Sequence, residues 1–407
     1  MASVDSPAPS AHSDSGQRNF LARLWYDKET RGVILQILTV SILFAFIAYV
    51  TSNVIANLAL VGKTFSFDFL KEPAHYDINQ SLIEYSSKST HLRAGLVGML
   101  NTLAVAFVGI ILATILGFIL GVLRLSPNWL VSRMVYCYVE FVRNTPVLLQ
   151  ILLVHGLVVH SLPSPRGAQD GGNFADTIFF TNRGVFAPQP LPQDGFGFVI
   201  GAMVLAIVGC FIFRRWAKKR QDETGQHLPV FWICLGTIIG LPLLVYLLAG
   251  APLDWNYPAL KGFNFQGGFV IRPEFLALTL ALSVYTAAFI AEIVRSGIEA
   301  INKGQWEASL AVGMSRSRTL GEVIIPQAMR VIVPPLTSQY LNLTKNSSLA
   351  IAIGYMDIVA TIGGITLMQT GKEMETMIIV IGFYLFVSLT ISMFMNWYNK
   401  RIKLVER

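Results

Sequence analysis

Four places in this chain set ionisable or amide side chains inside otherwise apolar stretches. GLVGMLNTLAVA carries Asn101 and Thr102, and Gly117-x-x-x-Gly121 further along the same run offers a close helix contact. VEFVRNTPVLLQI carries Glu140, Arg143, Asn144, Thr145, Pro146 and Gln150, and Pro146, like the later Pro334-Pro335 pair, removes backbone donors and is expected to prevent a regular helical ladder at that point. YTAAFIAEIVRSGI carries Glu292, and LNLTKNSSLAIAIG carries Lys345, Asn346 and Ser347. A charge held near the centre of a lipid bilayer costs about 2.5–3.5 kcal/mol, so each such group needs a partner or a wet passage. A guanidinium grips a carboxylate through two parallel hydrogen bonds, and a carboxylate attracts an ammonium. Arg143 and Glu292 could thus complement the two ends of a zwitterion, with Asn101, Thr102, Asn144, Lys345, Asn346 and Ser347 lining the way. Pairing within the chain is the alternative. Glu140 and Arg143, and Glu292 and Arg295, stand three apart on helical spacing, and Arg143 could meet Glu292. Lys345 has no acid within four residues, so its partner must come from another helix or from a ligand.

Other chemistry has no residues to carry it. A phosphate-binding loop needs Gly-x-x-x-x-Gly-Lys-Ser/Thr; Gly62-Lys63-Thr64 supplies the ending, but Asn57 stands where the first glycine belongs. There is no Gly-x-Ser-x-Gly elbow, no His-Glu-x-x-His helix and no paired-histidine spacing. Cys137, Cys210 and Cys234 lie in or at apolar runs without ligand spacing and read as packing residues. The expectation is a chain that is not an enzyme, binds no metal or cofactor and does not itself hydrolyse ATP.

One polar stretch interrupts the apolar pattern. From Glu307 the chain reads EASLAVGMSRSRTLGEVIIP between two strongly apolar segments. Gln305–Val312 has helix-forming composition, with Trp306, Leu310 and Ala311 able to share one side, and Gly313 supplies the left-handed position that ends a helix. A second short helical run is expected from Arg316 to Ile325, closed by Pro326. A structured polar piece projecting from a bilayer is what an external motor would push on. Glu307, Ala308, Ser309, Gly313, Val323, Ile325 and Pro326 fall in register with the cytoplasmic EAA loop of permease subunits of bacterial ABC importers, which this segment resembles. Ser309 departs from the usual second alanine, and Val323 and Ile325 from the more usual isoleucine and leucine.

The elements that must hold these residues follow from composition. Of 407 residues 53% are hydrophobic and 14% charged, where a soluble domain carries nearer a quarter charged. A crossing needs roughly 20 apolar residues. Eight runs qualify, near 32–52, 96–123, 134–160, 195–213, 229–249, 274–294, 334–356 and 374–397. The expected fold is an all-α integral membrane protein of about eight transmembrane helices. Placing the N-terminus inside puts 20 of the 31 Lys and Arg on the inner side, so both termini are expected to be cytoplasmic. The net charge of +7 is dispersed over those inner segments rather than gathered in a stripe, which excludes nucleic-acid binding as its explanation. Residues 53–93, with His75, Tyr76, Asp77 and His91, read as a solvated loop. Residues 162–194, rich in Pro and Gly, read as an irregular excursion, although the FFTNRGVFAP within them is less random.

The FVRNTP stretch, YTAAFIAEIVRSGI and the KNSSL cluster resemble the histidine/glutamine/general L-amino-acid branch of ABC importer permeases, over residues 94–161 and 273–397. The extra first span and long insertion look most like the larger permease subunit of general L-amino-acid or glutamate/glutamine/aspartate systems. The resemblance implies a type I permease core in the bacterial inner membrane. It also implies a second permease subunit, expected to be a different chain, a cytoplasmic ABC ATPase dimer that holds ATP and Mg, a periplasmic amino-acid-binding protein and an L-amino-acid substrate. The chain then divides into a largely disordered cytoplasmic tail (1–31), a first span with a periplasmic segment (32–93), the leading half of the permease core (94–161) and an insertion with a periplasmic loop and two spans (162–272). The returning half of the core (273–397), containing the coupling loop 295–330, and a cytoplasmic tail (398–407) complete it. An ion-coupled secondary carrier would use similar buried charges, but it should show two halves of matching hydropathy, and no convincing repeat is present.

Overall fold

The computed structural model describes residues 28–402 apart from 61, 63, 172, 175, 176 and 227. Of the tails expected at 1–31 and 398–407, residues 1–27 and 403–407 lie outside the described residues, whereas residues 28–31 and 398–402 are helical. The chain divides into two units, residues 1–68 and 69–407. Within the first, α1 spans Lys28–Leu60, an apolar helix exposed along nearly its whole length.

In the second unit, α2 (His91–Arg124) begins where the Thr90 hydroxyl accepts from the Arg93 N–H, satisfying one of the donors that a helix start leaves open. Two helices, α3 (Trp129–Arg143) and α4 (Val147–Ser161), meet at a 107° bend. Pro146 lacks an N–H and disfavours helical backbone at Thr145, so the ladder breaks at Asn144–Pro146. Gln150 repairs some of the loss by donating to the Val142 and Thr145 carbonyls. The expected third span is therefore a bent pair. Later helices are α5 (Pro165–Gly171), α6 (Phe196–Thr224), α7 (Val230–Leu248), α8 (Pro273–Glu299), α9 (Lys303–Ala311), α10 (Ile325–Asn346) and α11 (Glu373–Ile402).

Six of these, α1, α2, α6, α7, α8 and α11, are long and apolar enough to cross a membrane, and the bent pair makes up to seven. The eighth expected run, 334–356, is α10 followed by a 3-10 turn, Ser347–Ile353. Its Ser, Asn and Lys content keeps it below the apolarity of the others. Pro334 and Pro335 do not end the helix: α10 runs through both, carrying them on its exposed face.

The core forms around α8, whose apolar window is 67% buried, against 28% for α2 and 11% for α11. Helix α2 lies along it at close range. A Cβ on Gly117 would fall 2.5 Å from Ile290 Cβ, and one on Gly121 would fall 2.6 Å from Val294 Cβ. The Gly117-x-x-x-Gly121 pair is thus the close contact that its spacing suggests. Leu278, Leu282, Ile290, Ile332, Val333 and Leu343 fill the interior among α8, α10 and their neighbours.

The insertion is not irregular. Among the described residues, eight short strands flank the α6–α7 hairpin: β1 (Asn173–Phe174), β2 (Ile178–Thr181), β3 (Gly184–Ala187), β4 (Gln189–Pro192), β5 (Leu253–Asn256), β6 (Ala259–Lys261), β7 (Asn264–Gln266) and β8 (Phe269–Ile271). They form one four-stranded antiparallel sheet in the order β1-β2-β3-β8 and two two-stranded ribbons. The FFTNRGVFAP run is the β2–β3 hairpin. Pairing of β3 with β8 and of β4 with β5 joins the leading and returning limbs, which lets the insertion leave and rejoin the core at one place. Phe179 and Phe265 stack at 4.2 Å beneath Phe186. The proline and glycine content hides these strands in the sequence because each is only two to four residues long.

Candidate coupling segment and intramembrane polar site

Asn101 and Thr102 are fully buried on α2 and face an irregular segment, 355–358. The Asn101 amide donates to the carbonyls of Gln80 and Met356 at 2.8 and 2.9 Å. The Thr102 hydroxyl accepts from the Ile358 N–H at 3.2 Å, and the Tyr355 hydroxyl donates to the Asn101 carbonyl at 3.1 Å. Gly98, one turn earlier, lets the segment approach: a Cβ there would lie 2.2 Å from Thr361 Oγ1. Asp357, with no exposed surface, accepts from the Ala360 N–H at 2.8 Å and from the Tyr384 hydroxyl at 3.4 Å. The Tyr384 hydroxyl also interacts with Ser347 and Thr102.

Tyr384 stands eleven residues into α11, and Thr102 eleven into α2. At 1.5 Å per residue the cluster lies about 16 Å along each helix, near half the depth of a bilayer core. Unpaired backbone is tolerated at such depth only when enclosed by protein or water, and these side chains enclose it. Asn101 and Thr102 therefore brace the 355–358 segment from within instead of lining an open passage, and buried Ser347 donates to the Thr344 carbonyl beside Tyr384. Tyr355, Asp357 and Tyr384 are not among the residues that the sequence singles out. Asp357 carries the same signal as Glu292, a lone acid in an apolar run.

The segment preceding α2 closes over this end. The Tyr76 hydroxyl and His91 Nδ1 lie 3.2 and 3.0 Å from Thr366 Oγ1, and the Tyr85 hydroxyl donates to the Tyr76 carbonyl at 2.8 Å. Burial pushes Tyr85 up to about 12, so it stays a neutral donor at neutral pH. Tyr76 and His91, expected as solvated loop residues, are thus packed, His91 with 3% exposure.

Arg143 and Glu292 are not brought together as an ion pair. Glu292 is clamped by Arg124 of α2 and by Arg295, whose guanidinium lies 2.6 Å from Glu292 Oε1; Arg295 also binds Glu299. Glu292 is consumed in bracing α2 against α8, and is not left open as a substrate's counter-charge. The Glu292–Arg295 alternative is realised, while Arg124, 168 residues away in sequence, could not be read from spacing. Arg143 lies exposed with its guanidinium 5.5 Å over the Phe289 ring. Asn144 ends α3 and donates to the Glu140 carbonyl at 2.7 Å. Glu292→Gln is expected to lower stability by about 1–2 kcal/mol, a range that allows for its 25% side-chain exposure. Thermal unfolding measures this, and an unchanged midpoint would remove the bracing role.

Lys345 is placed differently. It is exposed near the end of α10, two residues before buried Ser347, with Asn346 half-buried beside it. Its ammonium has no ion pair or hydrogen-bond partner among the described residues.

The polar segment forms a lever. In α9, capped by Asn302 through its bond to the Gly304 N–H, Ser309 is buried and its hydroxyl donates to the Gln305 carbonyl. A small residue is needed there because this face packs on the π-helical turn Thr319–Ile324. Glu307, Ala308, Val312 and Gly313 face outward, with Val312 77% exposed, while Leu310 borders the cavity beneath the helix. Gly313 adopts φ +84° and ends the helix. The second helical run differs from its expected form: Arg316–Arg318 passes into the π turn and directly into α10. Pro326 does not close a helix but sits in the first turn of α10, immediately after the π turn. Val323 and Ile325 are partly buried at this junction. A cavity of about 780 Å³, lined by Val122, Leu125, Ile298, Ile301, Trp306 and Leu320, undercuts α9 where α2 and α8 end.

Residues 109–404 match the family described as "Binding-protein-dependent transport system inner membrane component". The chain is 48% identical to the general L-amino acid transport system permease protein AapQ of Rhizobium johnstonii, over 94% of this chain and 94% of that one. It is 45% identical to the glutamate/glutamine/aspartate/asparagine transport system permease protein BztB of Rhodobacter capsulatus, over 97% and 99%. With a family match over most of its length and relatives aligned nearly end to end, this chain belongs to the inner membrane components of binding-protein-dependent transport systems.

Proposed function

We propose that this chain is the permease subunit through which an ATP-driven importer moves L-amino acids across the bacterial inner membrane. ATP and Mg are held by a separate cytoplasmic ATPase dimer, a second permease subunit of different sequence completes the passage, and a periplasmic binding protein delivers the substrate. The end of the molecule bearing α9 is cytoplasmic, in keeping with Arg214, Arg215, Lys218, Lys219 and Arg220 on the last turns of α6 and with Lys303, Arg316 and Arg318 around the lever. On this orientation both termini lie in the cytoplasm.

The observation that carries the reading is the outward face of α9. Glu307, Ala308 and Val312 form an exposed knob with one acid, ended by a left-handed glycine and fused through the π turn to α10. A push on α9 is transmitted to α10 and hence to the segment bearing Lys345, and the cavity beneath α9 leaves room for the displacement. The energy is the ATPase's differential affinity for two arrangements of the core, as any ligand-driven shift requires. The similarity to AapQ and BztB supports the choice of amino acids. Reconstituted vesicles holding the chain with its ATPase, partner permease and binding protein should accumulate an L-amino acid when ATP is enclosed on the lever side, and should continue to do so when ion gradients are collapsed. Uptake that follows the ion gradient and ignores ATP would overturn the reading.

A further inference from the structure

We propose that Lys345 is the cation that receives the substrate's carboxylate midway across the bilayer, and that Asn342 and Ser338 extend the polar path from it toward the coupling end of α10. The inference deepens the amino-acid reading above and rests on it. Ser338, Asn342 and Lys345 are all exposed. Spaced four and three residues apart, they fall within about 60° of one another on a helix that turns about 100° per residue. The other faces of α10 pack on α2, α8 and α11. A lipid-facing surface in this molecule has a different composition: α11 exposes Ile381, Leu385, Phe386, Leu389 and Met393. A stripe of hydroxyl, amide and ammonium groups at mid-depth would cost too much against hydrocarbon, so it borders water or an anion.

Charge accounting narrows the occupant. Among the cations near the core, Arg124 and Arg295 are bound to Glu292, and Arg143 lies over Phe289. Lys345 alone of these combines exposure at mid-depth with no partner among the described residues. Three acids near the core are not available to it: Glu292 is clamped, and Asp357 and Glu375 are buried at 0% and 3% exposure. A similar stripe on a facing subunit would set cation against cation unless an anion lay between them. An amino acid's carboxylate supplies that anion. A lysine suits a passage better than an arginine would, because a compact, strongly hydrated ammonium holds a carboxylate without the two-point grip of a guanidinium and so releases it more readily. Binding on a path must be strong enough to admit the solute and weak enough to free it.

The test uses the complete importer in vesicles, comparing the unaltered chain with Lys345→Gln and Lys345→Arg. For Lys345→Gln, ATP-driven amino-acid uptake is expected to fall at least tenfold in kcat. The KM for liganded binding protein, assembly with the partners and binding-protein-stimulated ATP hydrolysis should stay within about twofold, so that more ATP is consumed per molecule carried. Lys345→Arg should recover most of the uptake because it restores the positive charge. The proposal is overturned if Lys345→Gln transports normally, or if assembly, hydrolysis and uptake fall together, which would mark Lys345 as a partner-subunit contact. A failure of the amino-acid reading itself is seen separately, as an unaltered importer that carries no amino acid.

Discussion

Chains carrying valine at both Gly117 and Gly121 are expected to give little monodisperse folded protein, with the surviving fraction melting well below the unaltered chain. The expectation follows from how close α2 and α8 run. A Cβ at Gly117 meets Ile290 Cβ and Cγ2 at 2.5 Å and the Ala287 carbonyl oxygen at 3.1 Å; at Gly121 it meets Val294 Cβ at 2.6 Å and the Ala291 carbonyl oxygen at 2.8 Å. A rotamer change can move a side-chain terminus, but here the obstacles are branch-point carbons and backbone. Relief requires moving a whole helix. Overpacking costs about 1–3 kcal/mol per site, and two sites one turn apart on the same contact deny each other a local remedy. Set against a total stability of about 5–15 kcal/mol, the loss decides whether the core forms. Single alanines should fall between. Alanine at Gly201 or Gly209 of α6, where no atom lies within 4 Å of an added Cβ, should instead raise stability by about 0.5–1 kcal/mol through helix propensity. Fluorescence-detected size exclusion with a melting series reads both signs. Equal behaviour of the two glycine pairs would show that the α2–α8 contact does not limit folding.

Those glycines also mark what can be read from the chain. Spacing alone exposes the Gly117/Gly121 contact, the α9 helix and its left-handed stop at Gly313, and the break at Pro146, because each depends on residues close in sequence whose backbone preferences are strong. The burial of Asn101 and Thr102, the clamp on Glu292 by Arg124 and the Asp357–Tyr384 contact depend on elements brought together from 21 to 256 residues apart. No local periodicity records such pairings. Pro326 misleads for a different reason: proline is equally at home just after a helix and in the first turn of the next one, and the π turn that fuses Arg316–Arg318 to α10 has no composition of its own. The strands of the insertion escape a reading of the sequence because a two- to four-residue strand is too short for alternation to rise above its Pro and Gly content. Lys345 is legible as a charge without a local partner, and it remains without one among the described residues of the fold.

Reversing the charge of Glu307 is expected to separate coupling from folding more cleanly than any other single change. Its carboxylate is exposed and makes no ion pair or hydrogen bond among the described residues, so Glu307→Lys should shift stability by no more than about 0.5 kcal/mol. Retention of the ATPase through purification should nevertheless be lost, and ATP-driven uptake should fall at least tenfold, because the altered side chain stands with Ala308 and Val312 on the outward knob of α9. Gly313→Val acts on the same lever by a different physical route. Nothing lies within 4 Å of an added Cβ, so sterics with neighbours cost nothing; holding φ at +84° costs a residue with a side chain about 1–2 kcal/mol, and more for a branched one. The chain is then driven to continue α9 past Ala311 and redirect Arg316–Arg318, disengaging the knob from its axis with little loss of core packing. Glu223→Lys on α6, an exposed acid paired with Lys219, serves as the control reversal and should leave ATPase retention and uptake unchanged. If Glu307→Lys keeps its ATPase and its uptake as the control does, force does not enter through α9, and the proposed route from ATPase to Lys345 has no first step.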